Sequence, residues 1–344
     1  MIEIDGSFGE GGGQIVRSSL ALSAVTGHAF TIKNIRAGRK KSGLKRQHVV
    51  GVKAAAQICN AKVTGDELES SQITFEPGPI QGGDYRFQIN SAGSTTLVAQ
   101  TVLPALMLAG QPSTVSISGG THNPGAPPFD FLDRVYLPQL NKFGAMVTAN
   151  LQSHGFYPAG GGEIQLTIEP ASQLRAIELL ERGSKPTPAV TSFVSSLPRH
   201  IAERECDVIR GKSNWKSSCF EIVEVEKPVG PGNVVLIELA SKNVAAMFTG
   251  IGKQGVTAER VARSVYRDAA KYLETDVPVG EFLADQILLP MGLAASQGRE
   301  SSFRTAVLSS HSETHIEILK RFLDIEITTE AMPDNSVIVR VGSA

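Results

Sequence analysis

The segments LVAQTVLPALMLA (97–109) and LADQILLPMGLA (283–294) share one register: a Leu, a Gln three residues on, and a Leu-Pro pair after that. Gln100 falls opposite Gln286 and Pro104 opposite Pro290. A third stretch, GGGQIVRSSLALSAVTG (11–27), opens a helix-like pattern with Gln14 in the matching place, and each of the three follows a Gly- or Ser-rich turn. Helices of merely similar composition would share leucines. A shared Gln and Pro register argues for a repeated supersecondary unit, and a chain built that way brings three helix starts towards one centre. Helix N-termini favour negative charge, because their free N–H groups and their dipole both point at it, so the centre is expected to take a phosphate-bearing ligand.

Around these helices run short strand signals: AFTIKNI, QITFEP, DYRFQIN, STVSISG, EIQLTIEP, VVLIELA and SVIVRV. Alternation of strands and helices with few long loops predicts an α/β (α+β layered) fold. The stretch 171–279 has a different character, richer in charge and punctuated by ERGSKPTPA and KPVGPGN, and it has its own helix pattern, TAERVARSVYRDAAKYLE, with Glu259 and Arg263 at i,i+4. Because the repeat-like helix resumes at Val279, residues 184–277 read as an inserted domain within a main domain of 1–183 and 278–344. Net charge is −1, so a nucleic acid would have to bind a local patch rather than the overall field. The three cysteines, Cys59, Cys206 and Cys219, form neither a disulfide framework nor a zinc knuckle, which predicts a reducing, cytoplasmic setting. No stretch reaches the ~18 apolar residues of a membrane span, and the N-terminus has no signal-peptide pattern, so no membrane partner is expected.

Four segments carry candidate chemistry. GEGGGQIVRS (9–18) is neither a P-loop nor a dinucleotide fingerprint, yet Glu10 is a hard oxygen ligand suited to Mg²⁺ or Mn²⁺ and Arg17 can grip a phosphate. IRAGRKKSGLKRQHV (35–49) holds seven basic residues (Arg36, Arg39, Lys40, Lys41, Lys45, Arg46, His48) and no acidic one, a local field that would steer a polyanion. GEFLADQ (280–286) sets Asp285 in an otherwise apolar helix start beside Phe282, where it could be a simple cap. In LSSHSETH (308–315), His311 and His315 lie four apart among hydroxyls, ahead of the amphipathic HIEILKRFL. On spacing alone this is a capped helix start.

Taken in order, GEGGGQIVRS, IRAGRKKSGLKRQHV, GGDYRFQINSAGSTTLVAQTVLPAL, GGTHNPGAPPFDFL, HGFYPAGGG, LPRHIAERE, GPGN, GEFLADQ and SSHSETHIEILKRFL resemble the RNA 3′-terminal phosphate cyclases, collinearly from about residue 5 to 325. The resemblance implies a large domain of three repeated βαβαββ-like units with a smaller α/β domain inserted between the second and third. It implies ATP-dependent conversion of an RNA 3′-phosphate to a 2′,3′-cyclic phosphate, through a histidine–AMP adduct and an RNA–ppA end. His311 would be the nucleophile and Glu10 the metal ligand. Arg17, Arg39, Gln47 and His48 would line the phosphates. Gln100, Phe282, Leu283, Ala284, Asp285 and Gln286 would form the ATP site, with Pro127 and Pro128 near the adenine. The chain departs from the family in three places: Phe282 stands where many relatives have Tyr, His122 replaces an Asp, and His315 replaces a common Asn. Cyclase-like scaffolds of the same fold lack the nucleophilic His. The presence of His311, Glu10, Arg17 and Asp285 argues for an enzyme rather than a scaffold of ribosome assembly. Fold-related enolpyruvate transferases lack the SSH and RQH motifs, and a zinc hydrolase would need a third ligand.

Overall fold

The computed structural model of the chain describes residues 1–344. In chain order the first sheet comprises β1 (Ile2–Asp5), β2 (Phe30–Lys33), β3 (Lys62–Thr64) and β4 (Ile73–Glu76), with α1 (Gln14–Thr26) and α2 (Arg46–Cys59) between its strands. The second has β5 (Asp84–Gln88), β6 (Ser113–Gly119), β7 (Met146–Ser153) and β8 (Gly162–Glu169), interleaved with α3 (Thr95–Leu106) and a broken helical run holding α4 (Phe129–Phe131) and α5 (Leu137–Leu140). A short strand, β9 (Glu178–Leu179), is then followed by a sheet of β10 (Thr187–Ser195), β11 (Phe220–Glu224), β12 (Gly232–Ala240) and β13 (Ala245–Ile251), with α6 (His200–Ser213) and α7 (Ala258–Glu274). The chain closes with α8 (Glu281–Ala295), β14 (Ser301–Thr305), α9 (Ser310–Phe322), β15 (Ile325–Ala331) and β16 (Val337–Ser343). No helix is long and apolar enough to cross a membrane.

Three of the four sheets share one plan. Their orders are β1-β2-β4-β3, β5-β6-β8-β7 and β9-β14-β16-β15. In each, the first pair is parallel and the two that follow are antiparallel. The remaining sheet, β11-β10-β12-β13, has a different order. In β12 the side chains alternate by the strand period: Val234 and Leu236 join the main core, while Val235, Ile237 and Leu239 join a second core of 12 residues that all lie between 190 and 277. The main core, of 71 buried residues, fills the space between the three like sheets and α1, α3, α8 and α9.

Local chemistry explains the helix ends. Ser309 and Thr257 cap α9 and α7 by accepting the N–H of Ser312 and Arg260, and Ser94 caps α3 through Leu97 N. Asp285 is not a cap: α8 begins after Gly280, so Asp285 sits in its second turn. The pair expected within α7 does not form. Glu259 instead takes a two-pronged bond from Arg204 of α6, at 2.6 and 2.8 Å, because packing α6 against α7 offers it a planar guanidinium.

Candidate active site

The three glutamines of the repeat register converge. Gln14, Gln100 and Gln286 line one open polar pocket of about 40 Å³ with Arg17, Asp285 and His315. Gln100 Nε2 donates to Gln286 Oε1. Only Gln14 stands at a helix start. Gln100 and Gln286 lie about a turn and a half inside α3 and α8, so two of the three elements meet through side chains rather than through their N-terminal amides.

His311 is the second residue of α9, and its half-exposed ring looks onto the glycine loop. Its Nδ1 lies 3.0 Å from Gln14 Oε1 and 3.4 Å from Glu10 Oε2. Thus the cap reading and a projecting imidazole coincide: Ser309 satisfies the helix start, and the His311 ring reaches out to Gln14 and Glu10. The loop is tied to the same helix by Thr314, which accepts Glu10 N–H at 3.1 Å and donates to Ser310 O at 2.7 Å. A side chain at Gly9, whose φ is +55, would overlap the Thr314 hydroxyl, so this close approach requires glycine. Glu10 forms an ion pair with Arg39, whose Nη2 also donates to Glu10 O at 3.0 Å.

Asp285 sits among hydrogen-bond donors. His315 Nδ1 lies 2.9 Å from its carbonyl oxygen and 3.3 Å from its carboxylate, and the Gln14 amide donates to the same carboxylate oxygen. Burial opposes ionisation of Asp285, but these donors outweigh it and hold the carboxyl below the usual range. Arg17 forms no side-chain hydrogen bond or ion pair, and burial pulls its guanidinium down to about 10 despite the nearby charge of Asp285. His48 is buried with its Nε2 against Gly13 and its Nδ1 accepting Lys45 N–H at 3.1 Å. Burial, then Arg17, Arg36 and Lys45, push it down to about 3, so it is neutral at working pH. Gln47 accepts Ser94 N–H at 3.0 Å, joining α2 to the start of α3.

The basic run divides in two. Arg39, Lys40, Lys41, Lys45 and Arg46 are exposed, whereas Arg36 is buried and spans its own loop, donating to Lys41 O at 2.7 Å and Gly43 O at 3.0 Å. Phe282 does not join the polar cavity. It is 60% exposed and, with Leu283, borders a separate apolar cleft of about 520 Å³ that also contains Phe131, Phe248 and Tyr272. Ala284 is buried inside the helix. Pro127 accepts a hydrogen bond from Thr96 at the start of α3, and Pro128 is buried; neither borders the polar cavity. His122 lies elsewhere, bonded to Asp130 at 2.8 Å and stacked on His154 and Phe156. No three potential metal-ligand side chains cluster anywhere in the chain. Sequence reasoning left Thr314 unnoticed, treated Gln14 only as a mark of the repeat and left the role of His315 open. The repeat register was the one signal that pointed at Gln14.

The family model described as RNA 3′-terminal phosphate cyclase matches residues 8–329. Curated proteins named RNA 3′-terminal phosphate cyclase from Pseudomonas fluorescens (46% identical over 341 residues, 99% of this chain and 97% of the relative) and Salmonella typhimurium (44% over 342 residues, 99% of each) are similar along their whole length. So is that of Ralstonia nicotianae, 46% identical over 338 residues, covering 98% of this chain and 96% of the relative. The chain therefore belongs to the RNA 3′-terminal phosphate cyclase family and is an enzyme of that family.

Proposed function

We propose that the chain uses ATP to convert an RNA 3′-terminal phosphate into a 2′,3′-cyclic phosphate, with His311 as the nucleophile. The observation that carries this reading is the placement of the His311 ring beside Glu10 and Arg39, next to a polar cavity that holds an unpartnered guanidinium, Arg17. A half-buried guanidinium that forms no hydrogen bond or ion pair is a preformed anion site, and a triphosphate supplies the partner it lacks.

In the first step a His311 ring nitrogen attacks the α-phosphorus; an N–P bond forms, the α–β P–O bond breaks, and pyrophosphate leaves. In the second, a 3′-phosphate oxygen of the RNA attacks the same phosphorus and the N–P electron pair returns to the ring. This converts a phosphate monoester into an anhydride. In the third, the neighbouring 2′-OH gives up its proton and attacks the 3′-phosphorus, and AMP leaves with the electron pair of the anhydride bond. Arg17, Arg39, Gln47 and His48 serve the phosphates, His48 as a neutral donor through Nε2, since its Nδ1 already accepts a hydrogen bond. Gln100, Asp285 and Gln286 serve the nucleoside from the polar cavity, and the exposed Phe282 offers a ring face from the neighbouring cleft, while the buried Leu283 and Ala284 hold the start of α8, and Pro127 and Pro128 the start of α3, from behind. A single carboxylate at the mouth of a phosphate site suits a hard divalent ion held mainly by phosphate oxygens, so Glu10 would hold Mg²⁺ or Mn²⁺, which would offset charge on the triphosphate.

The exposed cations from Arg39 to Arg46 are the path for the RNA. The shared order of three sheets supports a main domain of three βαβαββ-like units in 1–183 and 278–344, and the separate small core supports an inserted domain at 184–277. Three unpaired cysteines support a cytoplasmic enzyme. Incubation with α-³²P-ATP and divalent metal, without RNA, tests the reading: an acid-labile labelled protein is expected, and an unlabelled one refutes it.

A further inference from the structure

We infer that Gln14 is a positioning residue that sets the tautomer of His311, placing the proton on Nδ1 and leaving the lone pair on Nε2 as the attacking nitrogen. The inference rests on the reading of His311 as nucleophile and specifies which of its atoms reacts.

The direction of every bond in the chain of contacts is determined. His311 Nδ1 faces two oxygens, Gln14 Oε1 at 3.0 Å and Glu10 Oε2 at 3.4 Å, and a carboxylate oxygen only accepts. By shape alone the Gln14 amide could point either way. Its far end, however, meets the carboxylate of Asp285, also an acceptor, so the NH₂ must face Asp285 and the carbonyl oxygen must face His311. Asp285 is fixed from the other side by His315, whose Nδ1 faces only the carbonyl and carboxylate oxygens of Asp285 and so carries hydrogen. The sequence of donors is therefore His315 Nδ1–H to Asp285, Gln14 NH₂ to Asp285, and His311 Nδ1–H to Gln14. Gln14 is 95% buried, so its amide is oriented by these partners rather than by solvent.

The consequence is chemical. Free imidazole favours the proton on Nε2, the tautomer that would block attack from the exposed edge of the ring, and the hydrogen bond to the other nitrogen decides which form is present. With Nδ1–H held by Gln14, attack by Nε2 forms the N–P bond and releases pyrophosphate while the Nδ1 proton stays in place. The ring becomes cationic facing two oxygens. When the RNA phosphate takes the AMP, the electron pair returns to Nε2 and again no proton moves. A neutral amide achieves this orientation without adding a charge beside the nucleophile. An Asn at position 315 would still offer Asp285 an N–H, so the chain of donors does not require histidine there.

The test compares wild type with Gln14→Met, which keeps length and volume but removes the nearer acceptor and leaves Nδ1 only the more distant Glu10 oxygen at 3.4 Å. Three quantities are measured: ¹⁵N shifts of the His311 ring, assigned with His311→Asn; the single-turnover rate of adenylylation; and ATP affinity. Wild type should show Nδ1 protonated. In Gln14→Met the ring should shift towards the Nε2–H form, and the rate should fall on the order of 10²- to 10⁴-fold, the scale of a misassigned catalytic tautomer, with ATP affinity changed less than about threefold. Gln14→Glu keeps an oxygen opposite Nδ1 and should retain the tautomer. An unchanged tautomer in Gln14→Met, or equal losses of rate and ATP affinity, would overturn the inference. Should Gln14→Met fail to fold, Asp285→Asn frees the amide to turn and should shift the ring in the same way; an unshifted ring overturns the inference. If wild type forms no adduct the functional reading fails, whereas the NMR arm still decides the tautomer.

Discussion

Arg17→Met should make the protein more stable and less active, and the size of the gain follows from the structure. Arg17 sits in the polar cavity without a hydrogen bond or ion pair, and burial pulls its pKa well below the usual guanidinium range, to about 10. A cation whose folded pKa lies below its unfolded value costs stability at every pH beneath the folded value, hence throughout the working range. That depression corresponds to roughly 3 kcal/mol, and screening by solvent around a half-buried residue reduces this to about 1–3 kcal/mol. Methionine keeps the apolar stem and removes the charge. Urea unfolding at neutral pH without nucleotide should therefore show a higher midpoint with an unchanged slope. A non-hydrolysable ATP analogue should reverse the order: at about 100 Kd it adds about 2.7 kcal/mol to wild type, and far less to a variant that binds it weakly. Adenylylation should fall at least 10²-fold. If Arg17→Met were less stable than wild type, the charge of Arg17 would be compensated in the free protein. If the variant were adenylylated at the wild-type rate, Arg17 would not serve the triphosphate.

Four further outcomes are expected. His311→Asn should melt normally and still bind ATP, because Ser309 rather than His311 caps α9, yet it should form no labelled adduct; labelling would move the nucleophile elsewhere. Glu10→Ala should depress metal-dependent adenylylation more than RNA binding, and equal losses in filter-binding and labelling assays would mark Glu10 as a structural partner of Arg39. Reversing the charge of Arg39 and Arg46 should weaken RNA binding and flatten its salt dependence by roughly 0.7 in log–log slope per contact, and an unchanged slope would place the RNA elsewhere. His48 is neutral in the fold down to about 3, while an unfolded His takes a proton near 6.5, so stability should fall as the pH drops through that window. His48→Gln should remove about 2 kcal/mol of the loss between pH 6.5 and 4.5, read from urea midpoints.

The elements themselves were legible in the chain because their signals are local. STVSISG forms β6 over Ser113–Gly119, and TAERVARSVYRDAAKYLE forms α7 from its Thr257 cap, since a period of two or of 3.6 and a capping hydroxyl act within a few residues. The register of Gln14, Gln100 and Gln286 was legible for the same reason, and it named three residues that meet although they are up to 272 positions apart. Which group each side chain faces was decided only by the tertiary structure. Glu259 was read against Arg263 one turn along its own helix and instead bonds Arg204 of α6, because a second helix offers better geometry than a neighbour on the same face. Arg36, read as part of a basic surface, is buried in its own loop, and Phe282 opens on an apolar cleft rather than on the cavity of Asp285. His315 looked like one more residue of a helix start, and Thr314 like nothing at all. Their partners, Asp285 and Glu10, arrive from α8 and from the N-terminal loop, and no local pattern encodes a hydrogen bond whose two ends are brought together only by packing.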